Sequence, residues 1–286
     1  MDEKRFILNA DDLGMSKAVN KAVMDGFSNG ILKSASLVAN GKDFEDAINN
    51  VIPQCEGLGV GIHLNITEGF SLCRDLTTLT DSDCKFNNSY LKLLIKSYNP
   101  KEKEFLNDVE REFRRQIESV ISKTKVTHID SHQHVHSIPK IFEIVARLAK
   151  EYGIKNVRTH FEKVYLVPDI FKILNYKYIL NVFRVLFFDL MTLINEATIH
   201  RYELKTNDYL VGLVYDMRID SLTIAYGVLF ANHKRTTIEA IIHPCRYEDG
   251  TVNHRFTEYL LTKNKKLKSK IEKLGFEITN YAEKDS

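Results

Sequence analysis

Four short polar clusters, each closing an apolar run, constrain this 286-residue chain more than any other feature of it. They are Asn9-Ala10-Asp11-Asp12, Gly61-Ile62-His63-Leu64-Asn65, His128-Ile129-Asp130-Ser131-His132-Gln133-His134-Val135-His136, and His243-Pro244. Strand-like segments lead into them: Phe6 to Leu8, Leu58 to Ile62, Val126 to Ile129 and Ala240 to Ile242. Buried parallel strands deliver such side chains to one rim of an α/β sheet or barrel, and that rim is where these folds keep their chemistry. Paired aspartates and histidines from separate strands can hold a divalent metal and leave one carboxylate free as a base.

Between the clusters the chain alternates strand and helix. Ser16 is placed to cap a helix with Val19, Ala22, Val23 and Phe27 on its apolar face, ending near Gly30. Ser34 to Val38 and Gly59 to Asn65 read as strands, and Phe44 to Ile52 as a short helix. Residues 66 to 100 read as a polar excursion. Phe105, Val109, Phe113, Ile117 and Val120 repeat at helical spacing. A helix follows Pro139, and Lys155 to Thr159 reads as another strand. The stretch 163–226 blurs the rhythm and is read as helical, a lid, a dimer surface or plain core. Strands are expected again at Leu229 to Asn232, Ile238 to Ile242 and Phe276 to Thr279, with one helix within Thr257 to Leu274. The repetition predicts a parallel α/β architecture, and the number of units favours a barrel over an open sheet.

Composition narrows the function. A formal net charge of +2 gives no electrostatic case for nucleic acid or an anionic membrane. The basic run Lys263 to Lys273 has Leu267, Ile271 and Leu274 opposite it, as a solvated amphipathic helix does. Tyr178 to Ile194 is the most apolar region, but Asn181, Arg184 and Asp189 interrupt it, so a buried or partner-facing helix is expected and not a membrane span. The four cysteines form no CxxC pair; Cys73 and Cys84 are the pair that can bridge. The amino terminus lacks the apolar stretch of a signal peptide, so a reducing cytoplasm is the expected location.

Each cluster also has a plain reading. An Asp-Asp pair often caps a helix, and a lone His63 among Val60, Ile62 and Leu64 is more often a core residue than a ligand. Four imidazoles between His128 and His136 are harder to dismiss: they repel when protonated and cost free energy when buried unpaired. Metal ligation or catalytic hydrogen bonding relieves both. Beyond them, Arg158 can hold a carboxylate, with Glu162 or Asp11 as partner, or bind substrate. His243 titrates near neutrality and suits a general acid.

The full set, Asn9 to Gly14, Gly61-Ile62-His63-Leu64-Asn65-Ile66-Thr67-Glu68-Gly69, Thr127 to His136 and His243-Pro244, resembles the YdjC-like carbohydrate deacetylase family. The resemblance runs from Arg5 to about Tyr247 and fades between 163 and 226. It implies a TIM-barrel-like (β/α) barrel of eight strands or fewer, one domain over 1–286 with a variable, largely helical insertion at about 163–226. It also implies a divalent metal, magnesium first and zinc or another transition metal as the alternative, and removal of acetyl from an N-acetylated sugar or chitooligosaccharide. Carried over by motif position, Asp12, His63 and His132 are metal ligands, Asp11 is the base and His243 the general acid. Arg158, His134, His136 and Asp130 are assigned to substrate contact or to support behind the ligands. His134 and His136, two apart on a strand, are expected to face one side together. The family usually has glycine after His-Pro; here Cys245 stands there, where a side chain is expected to narrow the pocket or alter substrate choice. Rival readings are a metal-dependent phosphoesterase or amidohydrolase, and a sugar-binding relative without turnover. A homodimer through Tyr178 to Ile194 is a further expectation.

Overall fold

From Phe6 to Leu13 the first strand is buried without a break, which requires a central place with both faces of the sheet covered. The computed structural model describes residues 4–234 and 236–282. Its elements, in chain order, are β1 (Arg5–Leu13), α1 (Lys17–Ser28), β2 (Ser34–Leu37), α2 (Phe44–Asp46), β3 (Gly59–Leu64), α3 (Tyr90–Tyr98), α4 (Lys103–Ile121), β4 (His128–Ser131), α5 (Pro139–Glu151) and β5 (Asn156–Val157). They continue with α6 (Ile170–Ile173), α7 (Tyr176–Tyr202), β6 (Tyr209–Val211), α8 (Ser221–Phe230), β7 (Thr237–Ile242), α9 (His254–Leu261), α10 (Lys265–Lys273) and β8 (Glu277–Thr279).

The strands pair in parallel in the order β5-β4-β3-β2-β1-β7-β6, with β8 alongside the first residues of β1. This is a curled α/β sheet of the TIM-barrel-like kind, with helices around it. The path does not close by a ladder. Across the seam between β5 and β6, the Val157 amide donates to Lys205 O (2.9 Å) and the Leu210 amide to Phe161 O (2.8 Å). The Asn207 side chain fills in, accepting from the Thr159 amide (2.8 Å) and donating to its carbonyl (3.0 Å). In α4 the expected apolar stripe, Phe105 through Val120, is completely buried. Ser16 caps α1 by accepting from the Val19 amide.

Several local expectations are corrected. Residues 66–100 contain α3, started by Ser89, whose hydroxyl accepts from the Lys92 amide. Leu229 to Asn232 is not a strand; its first residues finish α8, an apolar helix with no polar stripe to betray its period. The single late helix is two, α9 and α10, with Asn264 capping the second. The stretch 163–226 is largely helical through α6 and α7, yet it also holds β6, which hydrogen-bonds to β7. The four cysteines are free.

Candidate active site

The first two carboxylates share the site because β1 breaks its register there. Ala10 pairs with Ala35 and Leu13 with Leu37, so two residues, Asp11 and Asp12, sit opposite one. Such a bulge re-aims side chains that would otherwise alternate across the sheet. Asp12 takes φ 70°, a conformation costly for a residue other than glycine and typical of functional turns. Gly14, at φ 87°, continues the turn that Asp12 begins.

β3 and β4 lie side by side with His63 in register with Asp130. His63 Nδ1 is 2.7 Å from Asp130 Oδ1, which leaves Nε2 facing Asp12 Oδ1 at 3.6 Å. After β4 the chain turns through Gln133 (φ 51°) and His134 (φ 59°). That kink brings His132 Nδ1 to 2.9 Å from Asp12 Oδ1 and His132 Nε2 to 3.1 Å from Glu68. Asp12, His63 and His132 therefore offer ligand atoms all within 4.8 Å of one another. Burial pushes the His132 imidazole down, but the Asp12 and Glu68 carboxylates outweigh it and raise its pKa to about 10. Burial likewise opposes ionisation of Asp12, while the hydrogen bond and charge of His132 hold its carboxyl far below the usual range.

Behind this trio lies a buried charge network. Arg158 donates to both oxygens of Asp11 (2.8 and 2.7 Å), to Glu239 (3.0 and 2.7 Å), and pairs with Asp130 at 2.6 Å. Of the two partners considered for it, Asp11 is found and Glu162 is not; Glu162 accepts instead from the amides of Gly212, Leu213 and Val214. Arg158 is fully buried and so acts on the carboxylates and not on a ligand in the cavity. Burial alone would raise the Asp11 carboxyl; the Arg158 guanidinium overrides it and holds it well below the normal carboxylate range. Asp130 falls to about 2 by the same balance of burial against Arg158.

His243, at the end of β7, places Nε2 4.0 Å from Asp11 Oδ2 and Nδ1 3.7 Å from Glu258 of α9. Burial lowers its pKa, yet Glu258 and the aspartates raise it to about 9. The acid and base candidates thus face each other with opposite charges. Arg255, also on α9, donates to Asp12 Oδ2 at 2.8 Å. Neither Arg255, Glu258 nor Glu68 was assigned from sequence. Arg255 and Glu258 do share one face of a helix three residues apart, and Glu68 lies inside the Gly61–Gly69 motif.

These groups floor a cavity of about 500 Å³ lined by Asp11, His63, His132, His134, His243 and Arg255, with an opposite wall from Tyr90, Arg184, Phe187 and Phe188. His134 and His136 do not face one side. The kinked turn sends His134 to the cavity wall, beside His160 and Phe188. His136 is buried against Ser131 and the Arg158 carbonyl (3.0 Å). Cys245 does not narrow the cavity either; it is buried, with Sγ 3.7 Å from Arg255 Nη1.

The chain is similar to several known proteins. The chain is 44% identical over 151 residues to a carbohydrate deacetylase of Clostridium beijerinckii, covering 52% of this chain and 58% of that protein. It is 40% identical over 151 residues to one of Brevibacillus brevis, covering 52% and 57%. The matched stretch therefore spans little more than half the length of these relatives. A solved structure from Enterococcus faecalis V583, whose description refers to cellobiose-phosphate cleavage, superposes with a TM-score of 0.73 over 98% of both chains. At 21% identity it attests the fold. The model of the family described as YdjC-like protein matches residues 5–273, and the chain belongs to that family.

Proposed function

We propose that this chain is a carbohydrate N-deacetylase that hydrolyses the acetamide of an N-acetylated sugar or short oligosaccharide with the help of a divalent metal. The observation that carries the reading is the meeting of Asp12, His63 and His132 with the Asp11–His243 pair, of which Asp11, His63, His132 and His243 line one cavity. The names of the curated relatives support the substrate class.

The donor set suits a metal. One carboxylate and two imidazoles face one another, and Asp130 on His63 Nδ1 is the outer partner that fixes a ligating imidazole. Two nitrogen donors favour zinc or a similar transition ion over magnesium, which prefers oxygen. When bound, such an ion polarises the amide carbonyl and acidifies water. The protein's own groups supply the proton traffic. Asp11, kept ionised by Arg158, accepts the proton of the attacking water; His243, charged near neutral pH, delivers one to the departing sugar amine. Tyr90, Phe187 and Phe188 give the cavity an aromatic wall on which a sugar ring can lie.

The test is acetate release from N-acetylglucosamine and short chitooligosaccharides by protein stripped with chelator and reloaded with single divalent metals. The reading expects release that depends on metal and disappears in Asp11→Asn, with metal binding kept. Protein that binds metal yet frees no acetate from any of them refutes it. Hydrolysis of a chromogenic phosphate ester in its place would establish the phosphoesterase alternative.

A further inference from the structure

The wall of the cavity carries charges of its own, apart from those on the floor. Arg184 of α7 donates from Nη2 to Asp216 Oδ2 at 2.9 Å, and Asp216 lies in the loop after β6. Both side chains line the cavity and are 36% and 30% exposed, so a ligand there can reach them. An ion pair this open adds little to stability. It is nevertheless held firmly. Arg184 Nη2 also donates to Leu213 O (3.2 Å), and Asn181, three residues earlier on α7, donates to Val214 O (3.2 Å). Glu162 takes the amides of Gly212, Leu213 and Val214, and the Met217 amide donates to Asp216 Oδ1 at 2.9 Å. The pair is thus set in place before a ligand arrives, which spares the cost of ordering it.

Its hydrogen-bonding capacity is only partly used. Arg184 Nη1 bonds to none of the described residues, and Asp216 Oδ2 accepts from Arg184 alone. Donor and acceptor lie side by side, the complement of a hydroxyl group, which accepts and donates at once. A phosphate ester accepts from the guanidinium but meets Asp216 as a like charge. The rest of the wall offers it no better cation. The described lining holds no lysine, and its other arginine, Arg255, is already on Asp12. Phe187 stands three residues from Arg184, a neighbour on the same helix surface, and Leu213 and Met217 add apolar lining. An apolar platform beside an open donor and acceptor suits a pyranose ring, with its carbon face and hydroxyl edge.

We propose that Arg184 and Asp216 select the substrate: they bind the hydroxyl edge of an uncharged sugar ring lying on Phe187 and turn away the same sugar carrying a phosphate. This selection presupposes that the cavity takes an N-acetylated carbohydrate, and it adds the residues that choose among such carbohydrates.

The test measures binding and acetate release on the metal-loaded chain, with N,N′-diacetylchitobiose and its 6′-phosphate as ligands. Binding is followed by calorimetry in an Asp11→Asn background, so that the sugar is not consumed. With Asp216 in place, the uncharged sugar is expected to bind at least about tenfold tighter than the phosphate ester. Asp216→Asn is expected to weaken the uncharged sugar about tenfold and to strengthen the phosphate ester, a change of preference that lost packing alone does not produce. With Asp11 intact, the same substitution is expected to raise KM about tenfold and keep kcat. Arg184→Gln, the second variant should Asp216→Asn fail to fold, is expected to weaken the uncharged sugar by a similar factor. A parent that prefers the phosphate ester, or variants with affinity and KM unchanged, overturn the proposal and leave deacetylation standing wherever acetate is still released. Absence of binding by either sugar overturns it as well. Binding that changes preference as expected, in a chain that frees no acetate, upholds the pair and removes deacetylation.

Discussion

Replacing Arg158 by methionine removes the guanidinium that pairs with three buried carboxylates, Asp11, Asp130 and Glu239, whose side chains are only 0–1% exposed. Breaking a buried pair by removing one partner typically costs about 3–5 kcal/mol. At the usual conversion for a chain of this size, that is a drop in melting temperature of roughly 6–20 °C near pH 7.5. The pH dependence carries more information than the size. In the parent, Asp11 and Asp130 have folded values below the unfolded carboxylate, so their contribution is complete above about pH 5 and fades as pH falls toward 2. Across pH 5–8 it is flat. Without Arg158, burial is opposed only by His63 and His243, and the folded values are expected to rise above the unfolded ones. The stability of the variant then falls as pH rises, and its deficit against the parent shrinks on acidification. Melting curves for both proteins from pH 5 to 8, followed by circular dichroism, measure this directly. A deficit that stays constant over that range, or a melting temperature within 2 °C of the parent at pH 7.5, would show that Arg158 does not neutralise the network.

Three further outcomes follow from the same geometry. Asp130→Asn removes the carboxylate that fixes His63 Nδ1 and is expected to weaken metal affinity about 10–100-fold by equilibrium dialysis, with Asp12 and His132 still in place. His243 gains charge stabilisation from Glu258, which is full below about pH 6.5 and lost as pH rises through about 9; Glu258→Gln is expected to move the alkaline limb of the acetate-release profile from about 9 toward neutrality, and an unmoved limb would remove His243 as the acid. Gly61→Ala drives a methyl group to 2.3 Å from the buried His128 ring, which is stacked on Tyr281, and should cost about 1–3 kcal/mol in urea unfolding with the active-site residues unchanged.

The rim was legible because parallel strands are buried on both faces, so a polar residue at the end of an apolar run stands out. That signal found Asp11, Asp12, His63, His132 and His243, and their meeting depends on a bulge and a two-residue left-handed kink that pattern alone does not announce. Arg255 and Glu258 escaped because they reach the rim from a helix after a loop, where a charged pair ordinarily faces solvent. β6 escaped because three residues inside an apolar stretch carry too few alternations to mark a strand. Helix α3 was hidden because residues 66 to 100 read as a polar excursion, in which Ser89 of the Asn87-Asn88-Ser89 cluster is in fact a helix cap.

The seam between β5 and β6 has an evolutionary corollary. Where strands run in a ladder, a change of chain length shifts every pairing beyond it; here an asparagine side chain and a few isolated amides hold the edges together, so no long register has to be preserved. The arm from Glu162 to Thr206, with α7 at its heart, is therefore free to lengthen, shorten or be exchanged while the eight strands keep their alignment. Because that arm supplies one wall of the cavity, the fold can trade substrate-facing surface by grafting a new arm and keep the strand ends that carry the chemistry. The seam is the joint at which such a graft can be made.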